Sequence, residues 1–132
     1  MMFPQRGYVV EQTAQFKEFQ IPLADTIHGP ESVTAIMGIP EWWPTCQRIA
    51  IVMAHDAGSD LHHPLLEHLQ TKLTEEKFLT LRFNFPFAET NQDASTDTGE
   101  TLLRTFRTAI AALHRDPTSS PAHVFIGGHG LG

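Results

Sequence analysis

The apolar positions along this chain change period several times, and each change marks an element. Between residues 16 and 40, "FKEFQIPL" and "SVTAIMGIP" are β-like runs, and the Asp, Gly and Pro of the intervening "ADTIHGPE" suit a turn, so an antiparallel hairpin is expected. "RIAIVMA" (48–54) is a nearly continuous apolar run, the pattern of a parallel strand buried on both faces. In "HPLLEHLQTKLTEEK" the spacing of Leu65, Leu66, Leu69 and Leu73 predicts an amphipathic helix, with Pro64 acceptable in its first turn. "FLTLRFNFP" (78–86) returns to a strand, and Phe83, Phe85 and Phe87 alternate as core residues of one face, with Phe87 placed to reach a pocket. "TLLRTFRTAIAALHR" (101–115) gathers Leu102, Leu103, Phe106, Ile110 and Leu113 on one side of a second helix. "AHVFIGG" supplies another strand.

Strand, helix, strand, helix, strand after a hairpin predicts an α/β fold with a mainly parallel, doubly wound sheet and right-handed crossovers. In such a sheet, ligands bind outside the carboxyl ends of the strands where the strand order reverses. Loops 55–60, 84–90 and 127–132 are therefore the candidate site. At 132 residues the chain supports one domain. Residues 1–15 are a candidate for disorder, and the polar "ETNQDASTDTGE" (89–100) is expected to be a mobile surface loop.

Charge and composition narrow the function classes. Nine Lys+Arg against fifteen Asp+Glu give a net charge of −6 with no basic patch, which disfavours a nucleic-acid ligand. No apolar run has the length of a membrane span, and the N-terminus lacks a signal-peptide pattern, so a cytoplasmic location is expected and a membrane partner is not. The lone Cys46 has no partner for an internal disulfide and reads as a small semi-buried residue.

The chain closes on "HVFIGGHGLG", a strand running into glycines. Gly128-His129-Gly130-Leu131-Gly132 overlays the G-x-S-x-G nucleophile elbow with glycine in the serine position. The flanking glycines suit a sharp strand-to-helix turn, while Gly130 removes the nucleophilic oxygen and relaxes the strained backbone a nucleophile would occupy. "AHDAG" (54–58) follows the first buried strand, where the elbow fold carries a loop that donates an oxyanion-hole N–H.

With "RFNFPF" (82–87), these motifs resemble the α/β-hydrolase superfamily, and within it the dienelactone-hydrolase-like bacterial branch, over about residues 31–132. The resemblance implies a serine hydrolase of esters or related acyl compounds, with no cofactor and a small ester-like substrate. It implies oxyanion donors at the backbone N–H groups of Ala57 and Leu131, and a vacant nucleophile position at Gly130. Asp56 stands where the branch has glycine, and the acid and histidine of the family lie on later strands. The chain as written is therefore expected to be inactive. The implied strand order places 48–54 between 78–84 and the last strand, leaving the apolar edge 123–127 for the C-terminal half of the fold or for another chain.

Two alternatives accompany this reading. A degenerate, non-catalytic hydrolase fold serving as a scaffold or binding module suits Gly130 and Asp56. A metal-binding protein could use His55, Asp56, Asp60, His62 and His63, which are metal-ligand types without a recognised spacing. His55, Asp56, Arg82 and Phe87 are pocket candidates. Arg82 suits either an anchor for an anionic substrate or a structural ion pair, and Trp42 and Trp43 suit a loop pinned on the core better than a stacking site.

Overall fold

The computed structural model describes residues 13–23, 30–44, 47–115 and 120–128. Strands β1 (Gln15–Pro22) and β2 (Ser32–Ile39) form the antiparallel hairpin, although part of its turn lies outside the described residues. β3 (Ile49–Ala54), helix α1 (Pro64–Glu75), β4 (Leu79–Phe83), the one-turn α2 (Pro86–Glu89), α3 (Gly99–Ala112) and β5 (His123–Gly128) follow. The sheet order is β1-β2-β4-β3-β5. β3 pairs in parallel with both β4 and β5, whereas β2 runs antiparallel to β4. The sheet is therefore mixed: a parallel trio joined at one edge to the hairpin. β3 lies between β4 and β5 because α1 carries the chain to one side of it and α3 carries it back across to the other.

The two faces of this sheet are built from different chemistry. On one face Val33, Ala35, Ala50, Val52, Ala54, Leu79, Leu81 and Phe83 form a buried apolar layer with Ala109, Ala112 and Leu113 from the α3 segment. Leu102, Phe106 and Ile110 pack against it as the periodicity predicts, but Leu103 is exposed. The other face meets α1 through hydrogen bonds. The helix buries Leu66, Gln70 and Thr74, leaving Leu65 and Leu69 exposed, so the leucine stripe does not mark the buried side. Gln70 Nε2 donates to the Ile36 carbonyl at 2.9 Å, and the Thr74 and Thr80 hydroxyls lie 3.0 Å apart. A residue buried with its polar atoms paired is tolerated as well as an apolar one, and periodicity alone cannot register that pairing.

Gly38 on β2 shows how closely α1 sits. A Cβ there would fall 2.4 Å from Thr80 Oγ1 and 2.6 Å from Thr74 Oγ1, both on buried side chains. Gly38→Ala is expected to destabilise the protein by about 1–3 kcal/mol through overpacking. Urea unfolding checks this, and an unchanged midpoint would contradict the packing described.

β4 ends at Phe83, earlier than the alternation suggests. Phe83 is buried on the apolar face of the strand, whereas Phe85 precedes α2 and Phe87 lies within it, so those two rings are buried by a turn of chain over the sheet and not by strand alternation. The 89–100 segment contains the end of α2, a 3₁₀ turn at Ala94–Thr96 and the start of α3. No helix among the described residues is long and apolar enough to cross a membrane.

Candidate active site

The parallel register brings three chain exits together. Ala54 at the end of β3 lies opposite Phe83 on one side and Gly128 on the other. Residues 55–61 and residues 84–89 therefore leave the sheet side by side at its carboxyl edge, where β5 also ends. A cleft of about 540 Å³ opens there, lined by Ala57, Gly58, Ser59 and Asp60 from the first exit and by Phe87, Ala88 and Asn91–Asp93 from the second. Trp42 and Trp43 follow β2, whose antiparallel course sets them near the opposite edge, with Trp43 packed on the core and Trp42 exposed.

His55 is fully buried against the rings of Phe85 and Phe87, at centroid distances of 5.1 and 5.4 Å. The Phe85 N–H donates to its Nε2 at 3.0 Å, so that nitrogen carries no proton; Nδ1 holds it and donates to the Asp56 carbonyl at 2.7 Å. Burial lowers the pKa of this imidazole, against smaller opposing effects from the Asp56 carbonyl and the Asp60 and Asp56 carboxylates. His55 thus ties two loops together as a neutral ring.

Asp56 closes a tight turn, its Oδ1 accepting from the Gly58 N–H at 3.2 Å and from the Ser59 hydroxyl at 2.5 Å. Ala57 and Gly58 are exposed at the tip of this turn. Asp60 accepts from the His62 N–H, and His63 Nδ1 caps α1 by accepting from the Leu65 N–H. His62 instead faces Glu67, at 3.8 Å. Among the described residues no three His, Cys, Asp or Glu side chains gather as a metal-ligand set.

Arg82 is turned toward α1 and is nearly buried. Its Nε donates to Gln70 Oε1, its Nη1 to the Leu61 carbonyl, and its Nη2 lies 3.8 Å from Glu67 Oε2. Of the two roles open to it from sequence, this geometry provides the structural one. Two further residues escaped the sequence reading. Asn84 accepts from the Leu61 N–H at 2.9 Å and donates to Glu89 Oε1 at 3.0 Å; Glu89 in turn accepts from the Thr34 N–H and hydroxyl. The only signal for them was a polar residue at the exit of an apolar strand.

Asp97 accepts from the Phe87 N–H at 2.9 Å, pinning the segment after α2 to the cleft wall. Burial raises the pKa of its carboxyl, and the Phe87 N–H opposes that shift. An acid with a raised native pKa binds its proton more tightly folded than unfolded, so its contribution is fullest below the unfolded value and is lost as pH rises through the native one. Asp97→Asn keeps an acceptor for Phe87 and removes the buried charge. The variant is expected to match or exceed the parent's melting temperature at pH 7, while Asp97→Ala loses about 1 kcal/mol. A marked drop for Asp97→Asn would show that the charge itself stabilises the segment.

Residues 47–132 match the family of the α/β hydrolase domain. The chain belongs to the α/β-hydrolase family. The fold agrees with solved structures of such hydrolases at low identity. A Klebsiella pneumoniae protein ascribed to the dienelactone hydrolases superposes with a TM-score of 0.68 at 16% identity, covering 91% of this chain and 51% of that one. A dienelactone hydrolase from Anabaena variabilis gives 0.68 and 16%, covering 88% and 52%. Est1E from Butyrivibrio proteoclasticus gives 0.62 and 14%, covering 87% and 41%. The chain thus spans about half the length of the two dienelactone hydrolases. No curated protein sequence matches it. In this member of the α/β-hydrolase family, Gly128 ends β5 opposite Ala54, next to the His55 loop; His129, Gly130, Leu131 and Gly132 lie outside the described residues, as does Cys46.

Proposed function

We propose that this α/β hydrolase carries the oxyanion loop and elbow strand of an acyl (carboxylester) hydrolase, with the nucleophile position held by Gly130. The observation that carries the reading is the register that sets Gly128 opposite Ala54, so that β5, the elbow strand of the reading, ends beside β3, which leads into the Ala57 loop of the cleft. Ala57 lines that cleft, and its N–H has no hydrogen-bond partner among the described residues, as suits a donor reserved for a developing oxyanion. Leu131 is the second donor of the reading. The cleft lies within the ordinary size range for a small-molecule site, and the substrate class is a small ester.

In the complete reaction a serine oxygen attacks the ester carbonyl, a histidine takes its proton and passes it to the leaving alcohol, and water then releases the acid. Position 130 of this chain is glycine where the attacking serine would stand, and the base of the reading is a histidine other than His55. His55 cannot serve, since both ring nitrogens are engaged inside the fold. We therefore read the chain as lacking its nucleophile, and β5, an edge strand on which Phe125 and Ile126 are exposed, as a surface for pairing with further polypeptide. A cytoplasmic location accords with a single cysteine that can form no internal disulfide.

The test is labelling by an alkyl fluorophosphonate, which bonds only to an activated serine. The native protein, isolated with everything it carries in its host, should take no label at residue 130, and Gly130→Ser should take it there. A folded Gly130→Ser protein that stays unlabelled overturns the acyl-hydrolase reading and leaves the scaffold role, which Gly130 itself favours.

A further inference from the structure

We infer that Asn84, together with Arg82, is a positioning residue that holds the far end of the Ala57 loop and so fixes where the loop presents its N–H to the cleft. The inference rests on the reading of Ala57 as an oxyanion donor. Residues 57 and 58 are exposed at the loop tip and contribute little packing of their own, so the loop's position depends on its ends.

Both ends are tied to one short stretch of chain. At the near end, the Phe85 N–H is donated to His55 Nε2. At the far end, both backbone polar groups of the buried Leu61 are taken by side chains two residues apart: its N–H by Asn84 Oδ1 at 2.9 Å and its carbonyl by Arg82 Nη1. The Asn84 amide is itself oriented. Its Nδ2 donates to Glu89, whose carboxylate is fixed by the N–H and hydroxyl of Thr34 on β2, and the Asn84 backbone N–H donates to the Thr34 carbonyl at 2.9 Å. The loop is thus referenced to β2 and β4 through residues 82, 84 and 85. These belong to the "RFNFPF" stretch, which the reaction itself does not use. A donor for a developing charge must be placed in advance, and a shift of about 1 Å can cost on the order of 10²-fold in rate.

The experiment combines hydrogen exchange in the native protein with kinetics on p-nitrophenyl butyrate in the Gly130→Ser background. Asn84→Ala should speed amide exchange across residues 55–61 about tenfold or more while the amides of β3 and β4 keep their protection. In the Gly130→Ser background it should lower kcat by about 10- to 100-fold with KM nearly unchanged. Glu89→Gln keeps an oxygen for the Asn84 amide and the Thr34 N–H while its Nε2 faces the Thr34 hydroxyl, and it should leave both readouts near those of the parent. Unchanged exchange at 55–61 in Asn84→Ala overturns the inference. Should Asn84→Ala fail to fold, Glu89→Ala, which removes the partner that orients the Asn84 amide, decides in its place: faster exchange at 55–61 is expected, and unchanged exchange there overturns the inference. An inactive Gly130→Ser background would count against the acyl-hydrolase reading only, since the exchange measurement stands without it.

Discussion

Gly130→Ser, introduced in the native gene, is expected to raise ester hydrolysis by about 10³-fold or more over the unaltered protein. Removing the nucleophile from a serine hydrolase costs on the order of 10⁶ in kcat, and the remnant comes from the oxyanion hole and substrate binding. Restoring the oxygen should recover a large part of that factor. It should not recover all of it, because a nucleophile at such an elbow occupies a strained backbone, an expense of about 1–3 kcal/mol for any residue but glycine. The Asp56 turn limits a second loss. A carboxylate about 4 Å from a developing oxyanion opposes it by about 4 kcal/mol at an effective dielectric near 20. Here Oδ1 of that carboxylate already receives the Gly58 N–H and the Ser59 hydroxyl, which offset part of its charge. A folded variant whose rate rises less than about tenfold would mean that the site lacks a working base or that the oxyanion donors are displaced.

Phe83→Ala should cost about 3–5 kcal/mol of stability. Phe83 is fully buried at the end of β4, with its ring edge-on to Phe85 at 5.2 Å and to Phe106 at 5.3 Å. It therefore joins the apolar layer to α3 and to the aromatic cluster around His55. Truncation leaves a cavity that neither β4, paired on both sides, nor α3 can close by a small shift. Since whole domains are stable by only about 5–15 kcal/mol, this one change is expected to bring the protein near its unfolding threshold. Urea unfolding of the native protein measures it, and a loss below about 1 kcal/mol would show that the ring is not buried as described.

The place of β3 between β4 and β5 was implied by the family resemblance, and two local facts agree with it. A continuous apolar run at 49–54 needs neighbours on both sides, and each connecting segment contains a helix of crossover length. The buried side of α1 was not readable. Gln70 and Thr74 are acceptable inside only because Ile36, Arg82 and Thr80 stand across from them, and such a partnership between distant residues leaves no trace in local periodicity. The Pro86–Glu89 turn was hidden for a related reason: alternating phenylalanines satisfy a strand pattern, while the proline that opens the helix is equally at home after a strand. At the site, Phe87 lines the cleft and His55 is buried against its ring. The tether at Asn84 was missed because its partners, Leu61, Glu89 and Thr34, come from three separate segments.

The contrast between the two sheet faces bears on how relatives of this chain can diverge. On the α3 side, contacts are apolar and non-directional, so Val, Ile and Leu can exchange one at a time provided total volume is kept. On the α1 side, Gly38, Gln70, Thr74, Thr80 and Arg82 share directional bonds and a close approach, and changing one member strands a donor, an acceptor or a methyl group. Drift on the first face should leave independent, scattered replacements. On the second it should proceed in coordinated sets, with Gly38 gaining a side chain only in lineages where the hydroxyls at 74 and 80 have already given way.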